Sequence, residues 1–376
     1  IAKLARATTS AEAAAAYSGE EMTLGRNYLI PKPFDPRLSG VVAGAVATAA
    51  LETGVATRPI ADIDAYKHRL NASVFKSTMI MRPVFEAAST VGRTIVFAEG
   101  ENERVLRAAT AMLEEMADKP VLIGRPEVVE ARIDRLGLPI KVGRDFELCN
   151  PQDDPRYRDY WTTYHQLMER RGVTPELARA IMRTNNTAIG AVMVHRGEAD
   201  SLICGTFGQY LWHLRYVDEV LATEGRHPIG ALSLVILEDG PLFIADTHVH
   251  PEPTAEQIAE TVVGAARHVR RFGQNPKIAL CSHSQFGNLD CDTGRRMRAA
   301  LEILDSEPQD FAYEGEMHTD TALDVNIRER IMPNARFSGQ ANVLVFANTD
   351  AASAVRNILK MKAGGLEVGP ILMGMA

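Results

Sequence analysis

The sequence predicts an α/β protein of two lobes, built on mainly parallel sheets with flanking helices and preceded by a helical tail. Three observations predict it. At 376 residues the chain has room for two or three domains. From Arg93 onward, short apolar runs alternate with amphipathic helical stretches, the pattern of parallel sheets covered by helices. The stretch Leu242 to Asn288 displays the repeating unit in full. It is an apolar run (Leu242–Ala245), a helix opened by Thr254 with Gln257 three residues later, and a second apolar run (Ile278–Cys281). Ile258, Val262, Ala265 and Val269 recur at helical spacing, and Gly273 lies just past the last of them. Strand, helix, strand reads as a right-handed parallel crossover. Ligands in open parallel sheets sit beyond the carboxyl ends of the strands. That rule selects the loops Asp246–Glu252 and Ser282–Asn288.

Composition narrows the class. With 46% hydrophobic and 24% charged residues the chain is ordinary globular material, and its net charge of −7 argues against nucleic-acid and anionic-membrane partners. No apolar run reaches the roughly 18 residues that span a bilayer. No signal peptide is visible, and a start at Ile1 rather than Met leads us to expect that the true start is missing. Cys149, Cys204, Cys281 and Cys291 form no C-x-x-C pair, so reduced thiols in a cytoplasmic protein are expected.

In order, residues 1 to about 25 are alanine-rich and read as helical. Pro31, Pro33 and Pro36 then forbid regular structure. Helices are expected from about Arg37 to Thr53 and from about Asp62 to Val74, and a connecting helix with linker over 75–92. Arg93–Gly100 is a strand and turn, Glu101–Met116 an amphipathic helix, and Pro120–Ile123 a second strand. Residues 125–175 are more polar, with a helix from about Arg158 to Arg171. A small-residue helix at Ala188–Val194, a strand and turn at Ala199–Gly205 and a helix at Leu211–Leu221 complete the first lobe. Beyond a boundary near 225, strands fit Leu232–Leu237, Leu242–Ala245, Ile278–Cys281 and Val343–Phe346. Helices fit 254–271, 292–304, about 317–330 and 351–362. No period of 20 to 50 residues repeats.

Two resemblances emerge from particular residues. Tyr28-Leu29-Ile30-Pro31-Lys32-Pro33-Phe34-Asp35-Pro36-Arg37, with Thr53-Gly54-Val55-Ala56 after a small-residue helix, resembles the last segment of bacterial malic enzymes. From Arg93 onward the landmarks resemble phosphate acetyltransferases in order and spacing. They are Val96-Phe97-Ala98-Glu99-Gly100-Glu101-Asn102-Glu103-Arg104, Gly197-Glu198-Ala199-Asp200, Ala245-Asp246 with Pro253-Thr254-Ala255-Glu256-Gln257, Gly315-Glu316-Met317-His318-Thr319-Asp320, Ser338-Gly339-Gln340-Ala341-Asn342 and Gly369-Pro370-Ile371-Leu372-Met373-Gly374.

The joint resemblance is to the large multidomain NADP-dependent malic enzymes. It implies residues 1–75 as a malic-enzyme tail, 76–92 as a linker helix, and a two-lobed acetyltransferase-like fold of the isocitrate/isopropylmalate dehydrogenase kind. Lobe 1 would cover 93–225, rejoined by about 360–376, and lobe 2 would cover 226–359. The implied role is regulatory and oligomerising, with acetyl-CoA as an inhibitory effector and a homo-oligomer as the assembly. NADP and the divalent metal would belong to the catalytic part upstream.

Departures from the family imply that this chain is not itself catalytic. The family loop Ser-Tyr-Ser-Thr-Lys-Gly-Ser is here Ser282-His283-Ser284-Gln285-Phe286-Gly287-Asn288, without the lysine. The family motif Asn-Asp-Leu-Ser-Arg-Gly, which supplies catalytic serine and arginine, would lie beyond Ala376. An active phosphate acetyltransferase stays open as the alternative.

For acetyl-CoA contact the resemblance points to Thr206 and Arg215, to Ser282, Ser284 and Asn288, to Asn342, and to Arg356 and Lys360. The last pair lies four residues apart on one helix face, one position before the family's basic residues, so that Asn357 and Met361 hold the matching places. The bland readings are a surface arginine, loop hydrogen bonding, a structural turn asparagine and a solvated charged face. A rival reading is a metal-assisted hydrolase with His248 and His250 on one side of an extended segment and His283 beside them. H-x-H alone is a weak signal, and no acidic cluster accompanies it. Cys281 sits in an apolar strand and reads as core. No glycine-rich phosphate loop is present, so no dinucleotide site is expected in this chain.

Overall fold

The computed structural model describes residues 1, 29–30, 38–58, 60, 62–89, 92–115, 119–222 and 227–375. The expected alanine-rich helix, the proline-rich run apart from Leu29 and Ile30, and the boundary near 225 lie outside the described residues. Helix α1 (Gly44–Glu52) continues a π-helical turn at Ser39–Ala43 and ends before Gly54, whose φ is 71°. Helix α2 (Ile63–Ser89) starts where the Asp62 carboxylate accepts from the Asp64 and Ala65 N–H groups. It absorbs both the helix expected after Asp62 and most of the expected linker. Ile80, Met81 and Val84 near its end pack on the core of the second lobe.

The first lobe runs β1 (Thr94–Phe97), α3 (Glu103–Glu115), β2 (Lys119–Ile123), α4 (Pro126–Leu136), β3 (Glu147–Cys149), α5 (Tyr157–Met168), α6 (Pro175–Thr184), α7 (Asn186–His195), β4 (Ser201–Ile203) and α8 (Tyr210–Leu221). Its four strands pair in parallel in the order β3-β2-β1-β4. Alternation along the strands feeds two cores. Val96, Val121, Ile123 and Cys149 face α5 to α8, while Phe97 and Leu122 face α3 and α4.

The second lobe comprises β5 (Gly230–Leu237), β6 (Gly240–Ala245), α9 (Ala255–Arg271), β7 (Lys277–Cys281), α10 (Asp292–Asp305), β8 (Ala312–Met317), α11 (Thr319–Leu323), α12 (Val325–Ile331), β9 (Val343–Phe346), α13 (Thr349–Lys362) and β10 (Leu366–Met373). Strand order is β10-β5-β6-β9-β7-β8, with β6, β9, β7 and β8 parallel and the β10-β5-β6 pairs antiparallel. The crossover unit of β6, α9 and β7 is present, with β9 inserted between its strands. Phe243, Ile278, Leu280 and Val343 meet α9 and α10 on one face. Ile244, Ala279, Cys281 and Leu344 meet α11 and α13 on the other.

The structure corrects two expectations. The helix expected over about 317–330 is the end of β8 followed by two short helices, α11 and α12. Strand β8 reads as polar because Glu314 and Glu316 are part of it, and both are buried with hydrogen-bond partners. The last residues, expected to rejoin the first lobe, form β10 and run antiparallel to β5 in the second. There they cover an edge of backbone donors and acceptors that β5 would otherwise leave open.

A candidate ligand site where the lobes meet

In the first lobe the site begins with Glu99, just after β1 and 6% exposed. Its Oε1 accepts from the Gly205 N–H at 3.0 Å. Gly205 and Gly208 adopt φ of 94° and 89°, so the loop after β4 requires glycine at both places. His213 of α8 braces that loop. Its Nε2 lies 2.7 Å from the Phe207 carbonyl and its Nδ1 2.8 Å from the Thr187 hydroxyl. A carbonyl only accepts, so Nε2 carries a proton, and in the neutral ring Nδ1 then accepts from Thr187. The Cys204 thiol is pushed up to about 12, first by burial and then by the Glu99 carboxylate, which makes it a poor nucleophile.

In the second lobe the loop after β6 is wound round Asp246. This carboxylate accepts from the backbone N–H groups of Ala231 at 2.8 Å, His248 at 3.0 Å and His250 at 2.7 Å, and from Val249 as well. The winding presents His248 to the first lobe, where its ring meets that of Tyr210 with centroids 4.6 Å apart. Arg356 NH1 donates to His248 Nε2 at 2.8 Å, and His248 Nδ1 lies 2.8 Å from the Thr247 hydroxyl. Burial, then the Arg356 charge, holds His248 below the ordinary imidazole range. Arg356 and Lys360 converge on Glu367 of β10, Arg356 at 3.4 Å.

Among the described residues, four buried side-chain polar atoms have no hydrogen-bond partner: Glu99 Oε2, Thr206 Oγ1, Arg356 Nε and Glu367 Oε1. Thr206 belongs to the loop that leads into Tyr210, and Glu99, after β1, is bonded to that loop through Gly205 N–H; Arg356 and Glu367 stand behind His248. The orphaned atoms therefore flank one inter-lobe contact, from both sides.

The loop after β7 is organised differently. Glu316 is 1% exposed, and its Oε1 lies 2.6 Å from the Ser284 hydroxyl, 2.9 Å from the Gly287 N–H and 2.7 Å from Arg298 NH1. Phe286, where the family loop has lysine, packs on the second-lobe core. Among the described residues no group of three or more His, Cys, Asp or Glu side chains is placed to hold a metal ion.

Residues 79–376 match the phosphate acetyl/butaryl transferase family. The chain belongs to that family. Over 378 aligned residues it is 51% identical to an NAD-dependent malic enzyme of Rhizobium meliloti, covering 100% of this chain and 49% of that one. An NADP-dependent malic enzyme of Escherichia coli is 48% identical, with 100% and 50% covered. A phosphotransacetylase structure from Streptococcus pyogenes superposes with a TM-score of 0.72 at 26% identity, over 79% of this chain and 89% of that one. The chain spans about half the length of the malic enzymes it matches. It corresponds to the acetyltransferase-like part of such enzymes, as the motifs indicated. The family match begins at residue 79, while the malic enzymes match the preceding residues too.

Within this acetyltransferase-like domain the sequence-derived residues separate into groups. Arg356 and Lys360 stand on the His248 side of the inter-lobe contact, and Thr206 lies in the loop that leads to Tyr210. Arg215 is exposed on α8, bound to Glu219 at 2.8 Å, and lies about 140° round the helix from Tyr210. Ser282, Ser284 and Asn288 serve the loop itself: Ser282 accepts from Ser284 N–H, Ser284 reaches Glu316, and Asn288 accepts from Gln285 N–H. Asn342 stands at the amino end of β9, away from the loops. Its amide accepts from Lys277 N–H and donates to the Asn275 carbonyl, both at 2.8 Å. It also lines a cavity of ≈ 630 Å³ with Leu242, Gln340 and Leu359. Both His248 ring nitrogens have partners, Arg356 and Thr247, which leaves none for a metal. Sequence reasoning did not select Glu99, Tyr210, His213 or Glu367. A carboxylate immediately after an apolar strand was the available signal for Glu99.

Proposed function

We propose that this domain is a regulatory module that binds acetyl-CoA between its lobes and thereby restrains a malic enzyme of which it is part. That enzyme would convert malate to pyruvate and CO2 with reduction of NADP or NAD, in the cytoplasm. Its nicotinamide cofactor and divalent metal would be held outside this domain, and the domain would also hold a homo-oligomer together. The observation that carries the reading is the set of four buried polar atoms without a hydrogen bond on the two sides of the Tyr210–His248 contact, of which Glu367 Oε1 has a charged neighbour, Arg356 NH1 at 3.4 Å. Buried polar groups without partners are costly, and a cleft that collects them suits a polar ligand. Inhibition further requires that acetyl-CoA prefer one conformational or oligomeric state over another.

The loop after β7 supports a sensor rather than a catalyst. Thiolysis of acetyl phosphate needs a base for the thiol and cations for the phosphate. Here the loop's donors converge on the buried Glu316, and Phe286 fills the lysine position. Calorimetric titration with acetyl-CoA, with CoA-dependent turnover of acetyl phosphate followed in parallel, tests this. Saturable binding without turnover is the expected result. The family match keeps an active acetyltransferase as the second reading, and turnover by the full-length protein would establish it. Binding that leaves malate oxidation unchanged in the full-length protein would refute the regulatory role.

A further inference from the structure

We infer that Glu99 and Thr206 form a subsite for an amide N–H of the pantetheine arm, an assignment that rests on the acetyl-CoA reading above. Glu99 is 6% exposed, so its carboxylate is cut off from water. One oxygen is held by Gly205 N–H at 3.0 Å; the other has no partner. Among the described residues no lysine or arginine pairs with it, and the ring nitrogen His213 Nδ1 is 4.0 Å from Oε1 and already engaged with the Thr187 hydroxyl at 2.8 Å. A carboxylate oxygen only accepts, so the vacant position calls for a donor. Thr206, one residue beyond Gly205, adds a second buried atom without a partner. Gly205, Gly208 and the His213 bond to Phe207 hold the shape of the loop carrying it, and because both atoms are closed off from solvent a ligand meets them only as the contact between the lobes opens.

A donor with no net charge fits better than an ammonium. On the far side of the contact Arg356 and Lys360 outnumber their one shared carboxylate, Glu367. A ligand reaching both sides therefore presents N–H toward Glu99 and acceptors or anionic oxygens toward Arg356. Acetyl-CoA has that polarity along its length, with amides near the thioester and phosphates beyond.

The test uses Glu99→Gln. The substituted side chain would keep its carbonyl oxygen on the Gly205 N–H and turn an NH2 donor into the vacant position, reversing the polarity there. Acetyl-CoA affinity, measured by calorimetry on the full chain, should fall about tenfold or more, because a buried donor then faces a donor. Acetyl-CoA analogues N-methylated at one or the other pantetheine amide supply the second arm. One of them should bind the unaltered protein about tenfold more weakly than acetyl-CoA, and should lose no further affinity in Glu99→Gln. Equal acetyl-CoA affinity for Glu99→Gln and the unaltered protein overturns the subsite but leaves the effector reading standing. Absence of acetyl-CoA binding to the unaltered protein overturns both. If Glu99→Gln does not fold, Thr206→Ala decides: a severalfold loss supports the subsite and an unchanged affinity overturns it.

Discussion

Replacing Glu316 by glutamine probes whether the loop after β7 is held by a negative charge. The Glu316 Oε1 atom gathers the Ser284 hydroxyl, the Gly287 N–H and the Arg298 guanidinium at 2.6, 2.9 and 2.7 Å. Glutamine retains the shape and a carbonyl acceptor but removes the charge. Hydrogen bonds to a charged group contribute about 1.5–3 kcal/mol, and deleting one partner of a buried ion pair costs about 3–5 kcal/mol. The Arg298 side chain is 33% exposed and the amide still accepts, so the loss belongs at the lower end, about 2 kcal/mol. Urea unfolding gives the measurement: a lower midpoint with an unchanged slope. Amide hydrogen exchange should quicken at Gly287, whose N–H loses its charged acceptor. A change smaller than about 0.5 kcal/mol, the usual scatter of surface substitutions, would refute the reasoning.

Three further outcomes follow from particular side chains. Burial, then Arg271 and Arg267, pushes His268 down to about 4 from its ordinary 6.5. Below pH 6.5 the unfolded chain therefore takes up a proton that the folded chain refuses, so stability present above 6.5 is lost as pH falls toward 4. A fully buried ring with that shift would lose about 3 kcal/mol. Solvent at this partly exposed ring leaves about 1–2 kcal/mol. Urea titrations at several pH values should show His268→Asn losing less stability across the window; parallel losses would exclude the effect. For Arg215→Ala, thermal unfolding should stay close to the unaltered protein because the side chain is exposed, while acetyl-CoA titration should show about tenfold weaker binding if it contacts the ligand. Unchanged affinity would assign Arg215 to Glu219 alone. Asn342→Ala should cost about 1–3 kcal/mol in urea unfolding, since it strands the Lys277 N–H and the Asn275 carbonyl, and should leave acetyl-CoA affinity unaltered.

What the sequence revealed depended on whether the governing interaction was local. The helix α9 was readable because its start is a local device: Gln257 N–H donates to the Thr254 hydroxyl while the Thr254 N–H donates to the Gln257 side chain. Helices α4 and α6 carried equally local marks, Pro126 with Gly137 and the Thr174 cap with Pro175. The polar average of 125–175 concealed the first, and the second begins where that stretch ends. Strand β8 was illegible for another reason. Glu314 and Glu316 look like solvent residues until Arg336 N–H and the Ser284 loop, each more than twenty residues away, are brought to them. The site divides in the same way. Thr206 lies in a turn that the resemblance marks and Arg356 one position before the family's basic residue, but Glu99 meets Gly205 across 106 residues and Arg356 meets His248 across 108. Such pairs leave no periodicity behind.

The two loops at the carboxyl ends of β6 and β7 also bear on which ligand the cleft prefers. A phosphate is ordinarily held by convergent backbone N–H groups and cations. Here Asp246 engages the N–H groups of Ala231, His248, Val249 and His250, and Glu316 engages Gly287 N–H and Arg298. Each loop thus supplies its own internal anion to the donors that a small, dianionic acetyl phosphate would need. Bringing that substrate in would mean displacing a buried carboxylate or placing like charges side by side, and either costs several kcal/mol. A long ligand with a neutral middle and its charges at one end need not displace either carboxylate. It can meet Glu99 and Thr206 with its amides and Arg356 with its phosphates. The same internal carboxylates that disfavour a phosphate group at these loops would leave the proposed ligand, acetyl-CoA, as the better match of the two. On the proposed reading, one electrostatic arrangement would account both for binding of acetyl-CoA and for the absence of turnover.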